Sequence, residues 1–348
     1  MSREKVIAAQ STGPEEEQFN ASLRPTRLDE CIGGDELLEK LRISIEAACR
    51  RDEPMEHVLL HGPPGLGKTT LAYVIAHEMD SAIKVTSGPA LSRPSDLIGI
   101  LTNLERGDVL FIDEIHRLAP AVEEYIYPAM EDYKVDFVVD SGMHSRTINL
   151  PLNPFTLIGA TTRAGLLSPP LRTRFGIAHH LDFWSADDLF LRCRMSAEML
   201  EIAFDTDALH MLAGRARGTP RIANRLLRRC RDYAQVKGDG RLDEPTVAAA
   251  LKLEGIDTLG LDELDRRFLR TIIEVYKGGP VGIEAVAATL GEETDTLVDV
   301  VEPFLLQAGL LARTRRGRLA TMKAYEHLGI SGAPPGEDGA LFTDNGSA

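Results

Sequence analysis

The sequence predicts an α/β fold: a parallel sheet covered by helices, then a small helical domain, then a C-terminal winged-helix domain. Three patterns carry that expectation. Between residues 56 and 183 short apolar runs alternate with amphipathic stretches, and HVLLHG, AIKVTS, DVLFIDEI and FTLIGATT read as buried strands, each followed by helix-compatible sequence. Strands that are apolar along their whole length belong to a sheet covered on both faces. After Trp184 the strand signal stops, and apolar residues recur at helical spacing in LFLRCRMSAEMLEIA, DALHMLAGRAR and IANRLLRRCRDYAQV. GIDTLGLDELD then opens a third segment, in which DRRFLRTIIEVY, IEAVAATL and DTLVDVVEPFLLQ read as helices ahead of an apolar and basic stretch, AGLLARTRRGRLATMKAYEHLGI. Three helices and a short hairpin make a winged helix-turn-helix, with Gly291 in the turn between the two central helices and TRRG at the tip of the wing. The expected boundaries are 1–184 for the large α/β domain, 185–255 for the helical domain, 256–332 for the winged helix and 333–348 for a tail.

Composition narrows the setting. With 348 residues, 43% of them hydrophobic, the chain has ample material for more than one core. The first twenty residues and the last sixteen are rich in Gly, Pro, Ser and acids, so both ends are expected to be mobile. No apolar run approaches a membrane span and the N-terminus lacks a signal-peptide core, which makes the cytoplasm the default location. Cys31, Cys49, Cys193 and Cys230 lie too far apart for a zinc or disulfide framework and read as reduced thiols. A net charge of -14 argues against general nucleic-acid binding, so any such contact must be local. From Pro303 to Tyr325 there is no acid, yet Arg313, Arg315, Arg316, Arg318 and Lys323 fall there.

The chemistry starts at GPPGLGKTT, Gly62 to Thr70, which fits G-x-x-x-x-G-K-[ST] and sits where a predicted strand hands over to a predicted helix. Glycines at 62, 65 and 67 let the backbone close around phosphates so that its N–H groups and the helix N-terminus face the anion. Lys68 is expected to reach the β- and γ-phosphates of ATP, and the Thr69 hydroxyl to ligate Mg2+. VLFIDEIH ends a strand in two carboxylates: Asp113 is the candidate to hold magnesium through its water shell, and Glu114 to orient and deprotonate the attacking water. FTLIGATTRAG ends another strand in hydroxyls. Thr162 is a candidate γ-phosphate sensor, and Thr161 is the alternative by the same spacing. In SPPLRTRFG, Arg174 is the candidate finger that supplies positive charge to a neighbouring subunit's site, with Arg172 as its rival. In RGTPRIANRLL, Arg221 follows Pro220 at a helix start, where an arginine can report nucleotide state to the helical domain.

Together GPPGLGKTTLA, LFIDEIHRL, EEYIYPAMEDY, LIGATTRAG, LRTRFGI, ARGTPRIANRLLRR, GGPVG and RTRRGR resemble the RuvB family of AAA+ ATPases across roughly residues 23–330. The resemblance implies a P-loop AAA+ domain, a helical lid and a winged-helix head, acting as a homohexameric motor that drives branch migration of Holliday junctions on double-stranded DNA. It implies nucleotide contacts at Leu23, Arg24, Gly65, Lys68, Thr69, Thr70, Glu131, Asp132, Tyr133, Arg174, Trp184 and Arg221, and DNA contacts at Arg313 and Arg318. It favours Arg174 as the finger and Thr162 as the sensor. VDFVVDSGMHSRTINL, Val135 to Leu150, reads as two strands about a Ser141-Gly142 turn, and by resemblance it is the hairpin that docks onto RuvA, with the RuvC resolvase in the same complex. Cys31 and Gly34 in DECIGG depart from the aromatic residue and glutamine usual there, and Trp184 stands where a tyrosine is usual. Two rival functions are a clamp-loader ATPase, which would end in a helical collar, and a DNA-binding regulator that uses ATP as a switch.

Overall fold

The computed structural model describes residues 13–138 and 147–334. The Ser141-Gly142 turn, residues 1–12 and the tail from 335 onward lie outside the described residues. The described chain forms two compact units, one of Gly13–Arg192 with Gly218–Arg221, the other of Cys193–Arg217 with the described residues from Ile222 to Pro334. Most of the helical segment and the winged helix fall within the second of these units.

In the first unit β1 (Val58–His61), β2 (Ile83–Ser87), β3 (Val109–Asp113), β6 (Thr156–Thr161) and β7 (Ile177–His180) form one parallel sheet in the order β2-β3-β6-β1-β7. The pleat explains why the three inner strands, β1, β3 and β6, are buried along nearly their whole length, whereas β2, expected to be buried, is an edge strand with none of its residues buried. Val58, Leu60, Val109, Phe111, Ile158 and Ala160 join the core beneath the helices Asp35–Arg51 and Lys68–Glu78. Leu59, Leu110, Ile112 and Leu157 join a second core beneath Pro94–Leu101 and Pro120–Asp132. Successive residues therefore serve opposite faces, and each face has its own cover. β7 has no apolar run; it is an edge strand, IAHH, whose exposure alternates, which is why periodicity alone passed over it.

His57 ties this unit together just ahead of β1. Its Nδ1 accepts from Leu157 N–H at 2.9 Å, so Nε2 carries the proton and donates to the Met130 carbonyl at 3.0 Å. Burial holds its pKa below the usual histidine range, and the neutral ring pins β6 to the end of the helix Pro120–Asp132. After Tyr133, which takes a left-handed φ of 49°, β4 (Lys134–Val138) and β5 (Thr147–Pro151) pair antiparallel from Lys134↔Pro151 to Val138↔Thr147. Both expected strands of the hairpin are present. At the other end, Pro14–Ser22 is helical; Pro14 starts it and three acids, Glu15 to Glu17, fill its first turn.

In the second unit the helices Thr206–Gly214 and Glu244–Leu253 precede the head. The head opens with Glu263–Arg270, started by an Asp262/Asp265 capping box, and runs on through a wider turn, Thr271–Val275. Ile283–Leu290 ends on Gly291 at φ 68°, the left-handed stop that a tight helix-turn-helix needs. A further helical stretch, Thr294–Gln307, leads to β8 (Leu311–Thr314) and β9 (Gly317–Ala320), an antiparallel wing with Arg315 and Arg316 at its tip. A final helix, Met322–Leu328, closes the head's own core with Ala324 and Tyr325.

Candidate nucleotide site and nucleic-acid interface

The strand order decides where chemistry can occur. β6 lies between β1 and β3, so the loop leaving β1, the carboxylates ending β3 and the hydroxyls ending β6 share the carboxyl edge of the sheet, where ligands of open α/β sheets bind. In the loop, Gly62, Gly65 and Gly67 have φ of 143°, 78° and 94°. A Cβ on Gly62 would stand 2.3 Å from the Leu181 carbonyl oxygen, so a side chain there has no room. Gly67 caps the helix Lys68–Glu78 with no side-chain bond, leaving its first amides for an anion. The Lys68 ammonium donates to the carbonyls of Gly62 at 2.8 Å and Pro63 at 2.7 Å. Burial pulls it down to about 8, Asp113 opposes that shift and Arg221 adds to it. A phosphate in the loop would restore what burial takes from this cation. Thr69 and Thr70 follow on the first helical turn, both partly exposed.

Asp113 ends β3 and accepts the Glu114 N–H through Oδ1 at 2.9 Å. Glu114 has a left-handed φ of 50°, which turns its side chain out of the strand direction. Its Oε2 lies 3.4 Å from Nε2 of His116, whose Nδ1 lies 2.9 Å from the Thr161 hydroxyl. Thr161 is fully buried and also accepts the Arg163 N–H at 3.0 Å. Its hydroxyl is therefore committed within the protein, whereas Thr162, one step beyond the strand, is partly exposed. That difference favours Thr162 over Thr161 as the residue free to meet a phosphate. His116 went unnoticed in the sequence; its place three residues after Asp113, on a turn that folds back toward β6, was the available clue.

Arg174 is held, not free. Its guanidinium stacks over the Tyr127 ring at 4.3 Å, pairs with Glu131 at 3.1 Å and donates to the Pro170 carbonyl at 2.8 Å, while its buried Nε has no partner. Arg172 is exposed. Glu131 and Asp132 end the helix Pro120–Asp132 on its exposed side, and Tyr133 packs edge-on against Phe155 at 5.9 Å. The sequence-predicted trio and the finger candidate thus converge on one helix end, some way along the chain from the phosphate loop. At the entry segment, buried Leu23 receives Arg192 on its carbonyl at 2.5 Å, and Arg24 lies over the Tyr73 ring of the P-loop helix at 5.1 Å. Trp184 N–H donates to Gly218 O at 2.9 Å, and Arg221 N–H meets Gly65 O at 3.4 Å, which brings the start of Arg221's helix to the phosphate loop. Cys31, partly buried, has its thiol pushed up to about 11 by burial and is an inert packing residue here. None of Cys31, Cys49, Cys193 and Cys230 is in a disulfide among the described residues.

In the wing, Arg313 and Arg318 face each other across β8 and β9, yet they differ. Arg313, Arg315 and Arg316 are exposed. Arg318, 11% exposed, forms a two-point pair with Glu302, which is 2% exposed, through Nε and, at 3.1 Å, through Nη2. The acid-free stretch begins one residue after the acid that neutralises one of its arginines.

Family models match along almost the whole chain: the Holliday junction DNA helicase RuvB P-loop domain over residues 23–181, the RuvB AAA lid domain over 184–257 and the RuvB C-terminal winged helix domain over 258–329. The chain belongs to the RuvB family. It is 56% identical over 316 residues to the Holliday junction branch migration complex subunit RuvB of Kosmotoga olearia, covering 91% of this chain and 92% of that one. The corresponding subunit of Desulfosudis oleivorans is 58% identical over 309 residues, covering 89% and 90%. The Thermotoga maritima RuvB Holliday junction branch migration motor superposes with a TM-score of 0.81 at 52% identity, over 89% of this chain and 99% of that one. Membership in the RuvB family carries a nucleotide-binding P-loop AAA+ domain, a lid and a winged helix, as the sequence patterns predicted. Among the described residues no helix is long and apolar enough to cross a membrane, and no cluster of His, Cys, Asp and Glu could hold a structural metal.

Proposed function

We propose that this chain is the ATP-driven motor subunit of a branch-migration complex, six copies forming a ring that moves double-stranded DNA through Holliday junctions in recombination and repair. The observation that carries the reading is the gathering of the Gly62–Thr70 loop, Asp113, Glu114 and Thr162 at one sheet edge, in a chain matched to RuvB from the P-loop domain through the winged helix. Lys68 and the loop amides bind the β- and γ-phosphates of ATP. Thr69 and Asp113, a hydroxyl and a carboxylate on adjoining elements, have the hard oxygen donors that Mg2+ prefers, and the bound ion would offset charge between the phosphates. Glu114, held by His116, orients the attacking water and accepts its proton. Thr162 contacts the γ-phosphate, and Arg174, presented on Tyr127 and Glu131, completes the site of the neighbouring subunit. Leu23, Arg24 and Trp184 line the nucleoside side, and Arg221 reports nucleotide state.

On the DNA side, Arg313 contacts phosphates with Arg315 and Arg316 beside it, while Arg318 braces the wing through Glu302. Contacts confined to phosphates carry little sequence preference. The β4–β5 hairpin docks onto RuvA, with RuvC in the same cytoplasmic assembly. The test is ATP turnover of the purified protein, alone and with four-way junction DNA plus RuvA, while migration of a labelled junction is followed in the same tubes. Turnover with migration is the expected result; normal turnover with immobile junctions refutes the motor and leaves a loader or switch.

A further inference from the structure

Arg217 belongs to none of the chemistry above, and it is buried. Its side chain is 3% exposed and that of its partner Asp265 is 1% exposed. One guanidinium serves three groups: Nη2 pairs with Asp265, Nε donates to the Gly260 carbonyl at 2.7 Å, and the plane lies 4.8 Å over the Phe304 ring. Asp265 also accepts the Asp262 N–H at 2.8 Å and so starts the first helix of the head. Phe304 stands on the helical stretch that leads into the wing. The backbone is committed too. Arg217 takes a φ of 55°, unfavourable for a side-chain-bearing residue, and Gly260 sits so close that a Cβ there would fall 2.6 Å from the Arg215 carbonyl oxygen.

The other end of this short segment is fixed elsewhere. Gly218–Arg221 belongs with the P-loop unit, where Gly218 O receives Trp184 N–H and Arg221 N–H meets Gly65 O. A Cβ on Gly218 would lie 2.7 Å from Cβ of Phe183. Only three residues, Gly218 to Pro220, therefore separate the proposed nucleotide reporter, Arg221, from an arginine locked into the head. An ion pair this deeply buried is a poor device for stability, since desolvation cancels much of the attraction and an apolar pair of similar size would pack as well. Burial indeed pushes the Asp265 carboxyl up to about 7 against the pull of Arg217. What a planar fork provides that an apolar contact lacks is a fixed orientation: two hydrogen bonds and a stacked ring prevent sliding and rotation.

We propose that Arg217 is a positioning residue that locks the winged-helix head to the segment bearing Arg221, so that a change of nucleotide state moves the DNA-contacting wing. The inference rests on the motor reading above. The experiment compares wild type, Arg217→Met and Arg217→Lys as full-length protein with RuvA and a labelled junction, measuring base pairs migrated per ATP hydrolysed. Basal ATPase without DNA, junction affinity and melting temperature are followed alongside. With Arg217→Met the yield per ATP should fall about fivefold or more, while basal turnover and junction affinity stay within about threefold of wild type. Arg217→Lys, which keeps the charge and loses the fork, should fall between the two. An unchanged yield per ATP in either variant overturns the proposal, and so does a yield that falls only in step with basal turnover or junction affinity. If Arg217→Met fails to fold, the Lys variant decides alone. A wild-type protein that hydrolyses ATP without moving junctions refutes the motor reading itself, a result distinct from an uncoupled variant beside an active wild type.

Discussion

Replacing His116 by alanine isolates the chain of contacts from Thr161 through His116 to Glu114. In the intact protein Glu114 hangs on a left-handed backbone, its side chain 37% exposed, with the His116 ring 3.4 Å from one carboxylate oxygen and the ring itself anchored on Thr161 at 2.9 Å. Without the ring the carboxylate keeps its backbone position and loses its lateral support. A displacement of about 1 Å in a group that orients the nucleophile costs on the order of 10²-fold in rate. His116→Ala should therefore lower kcat for ATP by about 10²-fold, with KM within about threefold, because the phosphate-binding groups are untouched. The buried Thr161 hydroxyl also loses a partner but keeps the Arg163 N–H, so the stability cost should be near the lower end of about 1–3 kcal/mol. Steady-state ATPase kinetics together with thermal melts separate the two effects. A kcat within threefold of wild type would refute the reasoning and make His116 a packing residue of β6.

Arg174→Ala should retain ATP binding and lose turnover by a factor of about 10³ or more; mixing it with Glu114→Gln protein should restore some hydrolysis if the finger acts between subunits, and normal turnover of the single variant would remove the role. Arg313→Ala should weaken junction binding and reduce the salt slope by about one, with an unchanged melting temperature. Arg318→Ala strands Glu302 in the core and should cost about 3–5 kcal/mol of head stability, seen as a lower melting transition; equal effects of the two variants on DNA alone would refute the distinction. For His57 the folded pKa lies below the unfolded value of about 6.5, so the unfolded chain binds more protons as pH falls through that range. His57 thus contributes a pH dependence in which stability is full above about 6.5 and declines below it, and melting of a His57→Gln variant from pH 7.5 to 5 should show a weaker decline than wild type.

What could be seen in the sequence and what could not divides along physical lines. β1, β3 and β6 were legible because a strand buried on both faces is apolar along most of its length, and the phosphate loop because its glycines and lysine are fixed by the ligand's geometry; β2 was read as buried like them, but it is an edge strand with no buried residue. β7 was not legible, since an edge strand reading IAHH has no such constraint. The choice between Thr161 and Thr162 depended on which hydroxyl the interior had already taken, which spacing cannot report. Arg318 looked like its neighbours in a basic run; only the fold brings Glu302 under it. Arg217 and Asp265, 48 residues apart, became a pair only when the helical segment and the head packed as one unit.

The exposed arginines of the wing tip sit on a chain whose formal net charge is -14. At physiological ionic strength a field decays over about 8 Å, so the attraction of a phosphate backbone to these arginines is local while the chain as a whole is net repulsive to it. An approach led by the wing tip brings Arg313, Arg315 and Arg316 to the phosphates first, so the net acidity of the chain acts as an orientation filter that favours such encounters with DNA. Raising the salt then has two opposing effects: it weakens the bound state at the wing while opening the unproductive faces to collision. Discrimination between oriented and random encounters should accordingly be sharpest in dilute salt, and a partner that delivers DNA wing-first should matter most as salt rises.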